Sequence, residues 1–367
     1  MRDLKNNSFQ SAQHLSESIK NNVSVFSFES IFFDDSKNYL KIKNSDINSE
    51  GNYPVIDQGE KFLAGYTDIE PKILKEEDCI VFGDHSKIFK FVNFPFVKGA
   101  DGTKVLKIKN KNFNTKYFYY FFQSLSLPDL GYTRYYKILK ETNVPVLSIS
   151  QQNKLVNILD RTDELIIIRK EQIQAYDDLI ESLFFEMFGN PITNSKHFKT
   201  NKFINVVRLK RGYDLPVKSR VGNKYEVYGS NGVLDGHNEF KVEEAGVITG
   251  RSGTIGKVFR NEGMYWPLNT TLYSEKTYGN NVIFLEYLLK NFKLDRFATG
   301  TGVPTLNRNI VHKEEIIEVP IELQNKFADY VLKIEEEKKK LNSSLLDLEN
   351  LFDSLMENAF SGNLFKN

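Results

Sequence analysis

The chain has a single cysteine, Cys79, so neither an internal disulfide nor a cysteine-built zinc site is available to it. Its expected role is that of a small buried hydrophobe. Tryptophan also occurs once, and Trp266 is expected in a core rather than as a stacking platform. No apolar run approaches the roughly 18 residues of a membrane span, and the polar N-terminus has no apolar signal core. The default expectation is therefore a reducing, cytoplasmic location with no membrane partner. The net charge of +1 neither demands nor excludes nucleic acid, because a basic face can be offset by acidic surface elsewhere. Catalytic patterns are missing too. His14, His85, His197, His237 and His312 show no metal-ligand spacing, and no nucleophile elbow or nucleotide fingerprint is present. His237 follows Gly236 in a turn, where a solvated or loop-capping histidine is expected. No catalytic residue and no metal site are expected on this chain.

What the chain does have is a long helix. From Leu155 apolar residues recur in alternating steps of four and three: Leu155, Leu159, Ile166, Ile173, Tyr176, Ile180, Leu183 and Met187, with Thr162 and Arg169 as polar interruptions. This is a heptad seam, the stripe of a coiled coil. Ser148 and Gln151 make a capping-box pattern at its start, and Gly189 with Pro191 stops it. Such a helix, a rod of about 60 Å at 1.5 Å per residue, cannot bury its stripe alone.

The sequence supplies the partner. When Gln152-Asn153-Lys154 is laid on Gln324-Asn325-Lys326, the seam falls on Phe327, Val331, Ile334, Lys338, Leu341, Leu345, Leu348, Phe352, Leu355 and Ala359 without a gap. The chain thus carries a long internal repeat. An antiparallel pairing related by a pseudo-twofold places Leu155 near Met356 and Phe184 near Phe327.

The remaining chain follows the same repeat. After a polar leader, 1–22, residues 23–146 alternate short β-prone runs with turns: Val23 to Phe28, Tyr53 to Ile56, Cys79 to Phe82, Lys90 to Val92. An aromatic helix is expected over Tyr117 to Leu127. The first long helix occupies 147–190. A second β-rich domain follows at 198–319, with a strand from Lys202 to Leu209 and a helix from Phe284 to Phe292, and the second long helix occupies 320–362. The expected fold class is α+β: two β-rich domains separated by two long helices packed as an antiparallel coiled coil, with an internal pseudo-twofold repeat.

The sharpest string is GRSGTIGKVF, Gly250 to Phe259. It is not a phosphate-binding loop of nucleotide hydrolases: five residues separate Gly250 from Gly256, and Val258 stands where a magnesium-binding Ser or Thr belongs. It reads instead as a strand ending in a glycine-hinged turn that presents Arg251, Ser252, Thr254 and Lys257, with backbone N–H groups free to approach a phosphate. The plain alternative is a surface hairpin with solvated cations. Comparable turns carry Lys210, Arg211 and Tyr213, then Ser230 and Asn231, then Asn269 and Thr270. In the first domain the corresponding candidates are Gln58, Asp84, His85, Ser86, Lys87, Lys98, Asp101, Arg134, Tyr135 and Tyr136. Asn and Gln suit adenine, while Arg and Lys suit guanine or phosphate. Each alone is an ordinary solvated loop residue.

LSISQQNKLVNILDRTDELI from Leu147, SLFFEMFG ending at Gly189, PIELQNKF from Pro320 and ENAFSGNL ending at Leu364 resemble the two helical regions of the DNA-specificity (S) subunits of type I restriction–modification systems. GRSGTIGKVF with WPLNTTLY, Trp266 to Tyr273, resembles a recurrent type of their target-recognition domain. GDHS, Gly83 to Ser86, stands where the second domain has GRSG. The resemblance implies a non-catalytic recognition subunit. Each β-domain would read one half of a bipartite double-stranded DNA site, and the helices would act as spacer and as docking platform for two methyltransferase subunits. Motor–nuclease subunits would join these. Adenine N6 methylation with S-adenosylmethionine, and ATP- and Mg2+-dependent translocation and cleavage, would belong to those partners, leaving no cofactor on this chain. The residues also fit a specificity subunit of another restriction architecture, or a coiled-coil scaffold whose β-domains bind proteins.

Overall fold

The computed structural model describes residues 24–99, 101–300 and 302–360. The polar leader and residues 361–364 of the last helical string lie outside the described residues. Two units emerge. One gathers the described residues up to Ile168 with those from Leu345 onward; the other spans Arg169–Ser344. Both long helices contribute to both units.

In the first unit, strands β1 (Phe32–Asp34), β2 (Tyr53–Ile56), β3 (Gly65–Thr67), β4 (Cys79–Gly83), β5 (Phe89–Val92), β6 (Val97–Lys98) and β7 (Thr103–Ile108) are followed by helix α1 (Thr115–Ser124). They make a four-stranded sheet in the order β1–β7–β4–β5 and a three-stranded sheet in the order β3–β2–β6, with β2 and β6 parallel. β4 is buried along its whole length. Its side chains alternate as strand geometry requires. Ile80 and Phe82 face a core with Phe118, Phe121 and Phe122 of α1, while Cys79 and Val81 face a second core with Tyr39, Ile56 and Phe96. Cys79 is thus a core residue, and burial pushes its thiol pKa up to about 12.

The second unit repeats the two sheets of this construction strand for strand. Strands β8 (Arg208–Arg211), β9 (Tyr225–Gly229), β10 (Gly232–His237), β11 (Gly246–Gly250), β12 (Val258–Asn261), β13 (Tyr265–Pro267) and β14 (Thr271–Lys276) form sheets in the orders β8–β14–β11–β12 and β10–β9–β13, with β9 and β13 parallel. Each unit also has a two-stranded antiparallel clasp, Ser24–Ser27 with Asn143–Val146 and Thr200–Lys202 with Glu315–Ile317.

The expected strand from Lys202 to Leu209 is interrupted. Phe203–Val206 forms a helical turn between the clasp strand and β8. Phe203 and Val206, three residues apart, both reach the core from that turn, which an unbroken strand would not allow. The run from Val23 to Phe28 ends at Ser27 for the same reason, with Phe28 and Ile31 buried on the matching turn.

The long helices are α2 (Ile149–Phe188) and, after α3 (Val282–Phe292), α4 (Ile321–Phe360). Ser148 and Gln151 make the capping interaction: the Ser148 N–H donates to Gln151 Oε1 at 3.2 Å, and the Gln151 N–H to Ser148 Oγ at 3.4 Å. Gly189 ends α2 with φ of 67°, its N–H bonded to Phe185 O at 2.9 Å. In the first unit Leu155 and Leu159 of α2 share a core with Met356, Ala359 and Phe360 of α4. In the second, the Phe184 ring of α2 lies edge-on to the Phe327 ring of α4, centroids 5.7 Å apart. The start of each helix meets the end of the other, so the pair is antiparallel. Every seam residue named from the heptads is buried or half-buried.

A repeated polar node joins the aromatic helices to the long ones. Asn114 caps α1 by accepting from the Lys116 and Tyr117 N–H groups, and Asn281 caps α3 through Ile283 and Phe284. Buried Gln152 accepts from the Asn114 N–H at 2.8 Å and donates to Leu147 O at 2.8 Å. Gln324, 1% exposed, accepts from the Asn281 N–H at 2.9 Å and donates to Val319 O at 2.8 Å. Gln324→Leu strands the buried Val319 carbonyl and the half-buried Asn281 N–H and should destabilise the second unit by about 2–3 kcal/mol. Chemical denaturation checks this; an unchanged midpoint would show that the node contributes no net stability.

Candidate nucleic-acid interface

The C-terminal ends of β4 and β11 are the equivalent points of the two units, and around each the loops converge. In the first, the Asp84 N–H donates to Gly102 O at 2.7 Å, and Asp84 O accepts from the Tyr135 N–H at 2.8 Å. In the second, the Arg251 N–H donates to Thr270 O and Arg251 O accepts from the Leu306 N–H, both at 2.8 Å. One backbone frame therefore holds an aspartate in one unit and an arginine in the other. Gln58 and Ser230 lie beside the two turns, each against the last glycine of its strand.

In the first unit most of the candidates build the frame. Asp84, 5% exposed, accepts from the Tyr136 N–H at 2.7 Å. Gln58 accepts from the His85 N–H at 3.2 Å and donates to Asp101 O at 3.1 Å. Ser86 Oγ accepts from the Ile88 N–H. Lys98 donates to Ser36 O at 3.1 Å, and burial pushes its pKa below the usual lysine range. Tyr135 is 1% exposed, its hydroxyl spanning the Leu130 N–H and Gly131 O; it is a core residue rather than one turned outward. Lys87 pairs with Asp129 at 3.4 Å and lies over the Tyr135 ring. Arg134 is exposed. The outward aromatic is Tyr132, 91% exposed and stacked on His85 with centroids 4.6 Å apart and planes 2° from parallel. Tyr132 escapes a sequence reading because only the fold separates it from Tyr135 and Tyr136.

In the second unit the glycine-hinged turn does not offer its leading backbone N–H groups to a phosphate. The Arg251 and Ser252 N–H groups both donate to Thr270 O, and the Gly253 N–H donates to Pro304 O at 3.2 Å. Gly250 is required because a Cβ there would lie 1.8 Å from Thr254 O. Arg251 is half-buried, its Nε donating to Asn269 O at 2.9 Å, and among the described residues its two Nη groups carry no bond. Lys257 donates to Asn231 at 2.7 Å, and Asn269 donates to Asp214. Lys210 pairs with Glu275 at 2.6 Å, and Arg211 lies 3.8 Å from Asp214. The Tyr213 and Tyr273 hydroxyls bond at 3.0 Å. Trp266, 5% exposed, is core, edge-on to His237, and His237 caps a loop by accepting from the Val221 N–H at 3.1 Å. His312 accepts from the Leu209 N–H at 3.0 Å; burial first, then Arg308 and Arg208, lower its pKa and keep that ring nitrogen an acceptor.

Among the described residues no three His, Cys, Asp or Glu side chains gather into a cation-binding group, and no helix is long and apolar enough to cross a membrane. No protein-family model and no curated protein matches the sequence. Solved structures do match in fold. The type-I restriction-modification system S subunit from M. genitalium aligns with a TM-score of 0.64 and 18% identity, over 92% of this chain and 95% of that one. A chain from a structure concerned with complex assembly and conformational transition of the type I R-M system aligns with a TM-score of 0.55 and 13% identity, over 94% of this chain and 99% of that one. At such identities the likeness lies in the backbone, and this chain has the fold of the type I restriction–modification S subunit.

Proposed function

We propose that this chain is the non-catalytic DNA-recognition subunit of a type I restriction–modification enzyme. Each loop cluster reads one half of a bipartite duplex site. The paired helices set the spacing between halves and dock two methyltransferase subunits, which methylate adenine N6 with S-adenosylmethionine. Motor–nuclease subunits, using ATP and Mg2+, complete the restriction enzyme. The observation that carries this reading is the duplicated backbone frame with unlike side chains, Asp84 and His85 in one unit against Arg251 and Ser252 in the other. In this reading the two readers meet two half-sites in opposite orientation, as the halves of dimeric repressors do. Since the side chains differ, the site need not be a palindrome.

The test is binding of the chain, with its methyltransferase partner, to duplex DNA over a salt series, followed by a map of methylated adenines. Salt-sensitive binding and a split methylation motif are expected. No duplex binding beyond that of an unrelated protein of similar charge overturns the reading. Arg251 supplies a local check. With Nε tied to Asn269, its Nη groups form the fork that pairs with guanine O6 and N7. Arg251→Ala should cost about 1–3 kcal/mol of discrimination at one position of one half-site. The other half should be read as before.

A further inference from the structure

His85 has one ring nitrogen whose role is fixed by its surroundings. Nδ1 lies 2.9 Å from the Thr133 carbonyl oxygen. A carbonyl only accepts, so Nδ1 carries the hydrogen, and in the neutral ring Nε2 is left as an acceptor. The ring is held in place from several directions. Its own backbone N–H donates to Gln58 Oε1 at 3.2 Å, one face stacks on Tyr132, and Gly102 approaches so closely that a Cβ there would lie 3.0 Å from Cδ2. Nε2 has no bonding partner among the described residues, and the Tyr132 plate behind the ring is 91% exposed. The nearby charges are already engaged, Asp101 with Lys41 and Lys87 with Asp129, except for exposed Arg134. The result is a half-buried ring, held by hydrogen bonds and a stacked aromatic, with one acceptor nitrogen unbonded among the described residues.

We propose that His85 determines specificity in the first half-site. Its Nε2 accepts a hydrogen bond from the exocyclic amine of a base in the major groove, adenine N6 or cytosine N4, and Tyr132 sets the ring plane. The groove presents these two amines as donors, while guanine and thymine present acceptors at the equivalent edge. This rests on the DNA-reading function proposed above. It gives the two units opposite hydrogen-bond polarity: an acceptor from His85 and a donor fork from Arg251.

The experiment uses the chain with its methyltransferase partner and duplexes carrying its mapped site. Each adenine or cytosine of the half-site that Arg251→Ala leaves unaffected is replaced singly, adenine by purine and cytosine by 2-pyrimidinone, which lack only the exocyclic amine. The unaltered protein should lose roughly 5- to 150-fold in affinity at one such position. The base whose replacement causes the loss identifies the amine. His85→Phe, which keeps a flat ring against Tyr132, should abolish that loss while leaving affinity for unrelated duplex unchanged, which also shows the variant is folded. His85→Arg should turn the preference at that position toward guanine. If His85→Phe binds unrelated duplex normally and still loses affinity at the same amine, His85 does not read it and the proposal is overturned. If the unaltered complex binds no duplex, the recognition reading fails and this proposal falls with it.

Discussion

Phe327→Ala is expected to destabilise the second unit by about 3–5 kcal/mol, the usual cost of deleting a fully buried phenylalanine. Phe327 is 0% exposed. Its ring stands edge-on to Phe184 and Phe188 of α2, at 5.7 and 5.4 Å, and to Tyr287 of α3, at 5.5 Å. It is the point where the second helix of the repeat, the first helix and the recognition unit share one core. The cost should lie at the upper end, because the neighbours are rigid rings on two other helices and cannot collapse into the space. Two units are present, so a single two-state transition is not assumed. Hydrogen exchange along α3 reports the second unit and exchange along α1 the first. The expected result is faster exchange in α3 with α1 little changed. Equal acceleration in both would show that the loss is not local. Phe327→Leu keeps much of the apolar volume and should cost less.

Removal of Arg260 should have an effect of similar size. Arg260 projects from β12 and bonds Glu286 of α3 at 2.9 Å and Glu335 of α4 at 2.9 Å, with Glu262 at 3.3 Å. Its side chain is 16% exposed and that of Glu286 10%. Burial works against the guanidinium charge, but the hydrogen bonds and charges of Glu335 and Glu286 more than offset it and raise the pKa. Arg260→Ala leaves Glu286 nearly buried with, among the described residues, only Lys290, at 2.6 Å, to balance it. Breaking one partner of such a network typically costs about 3–5 kcal/mol. Denaturant unfolding followed in the second unit checks the loss. Replacing Arg260, Glu286 and Glu335 together by apolar side chains of similar size should restore much of it, since desolvation of the charges then no longer opposes folding. A triple variant no more stable than Arg260→Ala would mean the network holds the unit by geometry that apolar packing cannot replace.

The long helices were fully legible in the sequence because a heptad seam and its caps are local, repeated signals. Ser148 with Gln151 and Gly189 mark the ends of α2 to within a residue. The repeat announced the second helix and the antiparallel pairing of Phe184 with Phe327. The β-rich units were legible only as isolated runs. Strands as short as Val97–Lys98 carry no periodicity of their own, and the parallel pairing of β2 with β6 is a property of the tertiary fold. The helical turns at Phe28 and Phe203 look like strand because phenylalanine, isoleucine and valine favour strands; burial three residues apart decides otherwise. In the candidate interface, residue types singled out turns that the fold brings together but gave no orientation. Asp84 and Tyr135 are buried, while His85 is half-buried with the exposed Tyr132 stacked on it. The caps Asn114 and Asn281 gave no sign of their second role, because the glutamines that bind them are far away in the sequence.

The second unit is one continuous stretch, Arg169–Ser344, whereas the first is closed by residues from Leu345 onward. That difference matters during synthesis, when a chain folds as it emerges and domains fold as units. Everything the second unit needs has been made before the segment carrying Met356, Ala359 and Phe360 exists. Until it arrives, Tyr117, Phe121, Leu155 and Leu159 lack the cover they have in the finished core. The unit that begins first is therefore the one that finishes last, and for that interval it presents an open apolar face. A premature stop just after Ser344 would remove no residue of the second unit and would leave the first without its lid, a lesion expected to show as aggregation rather than as altered recognition.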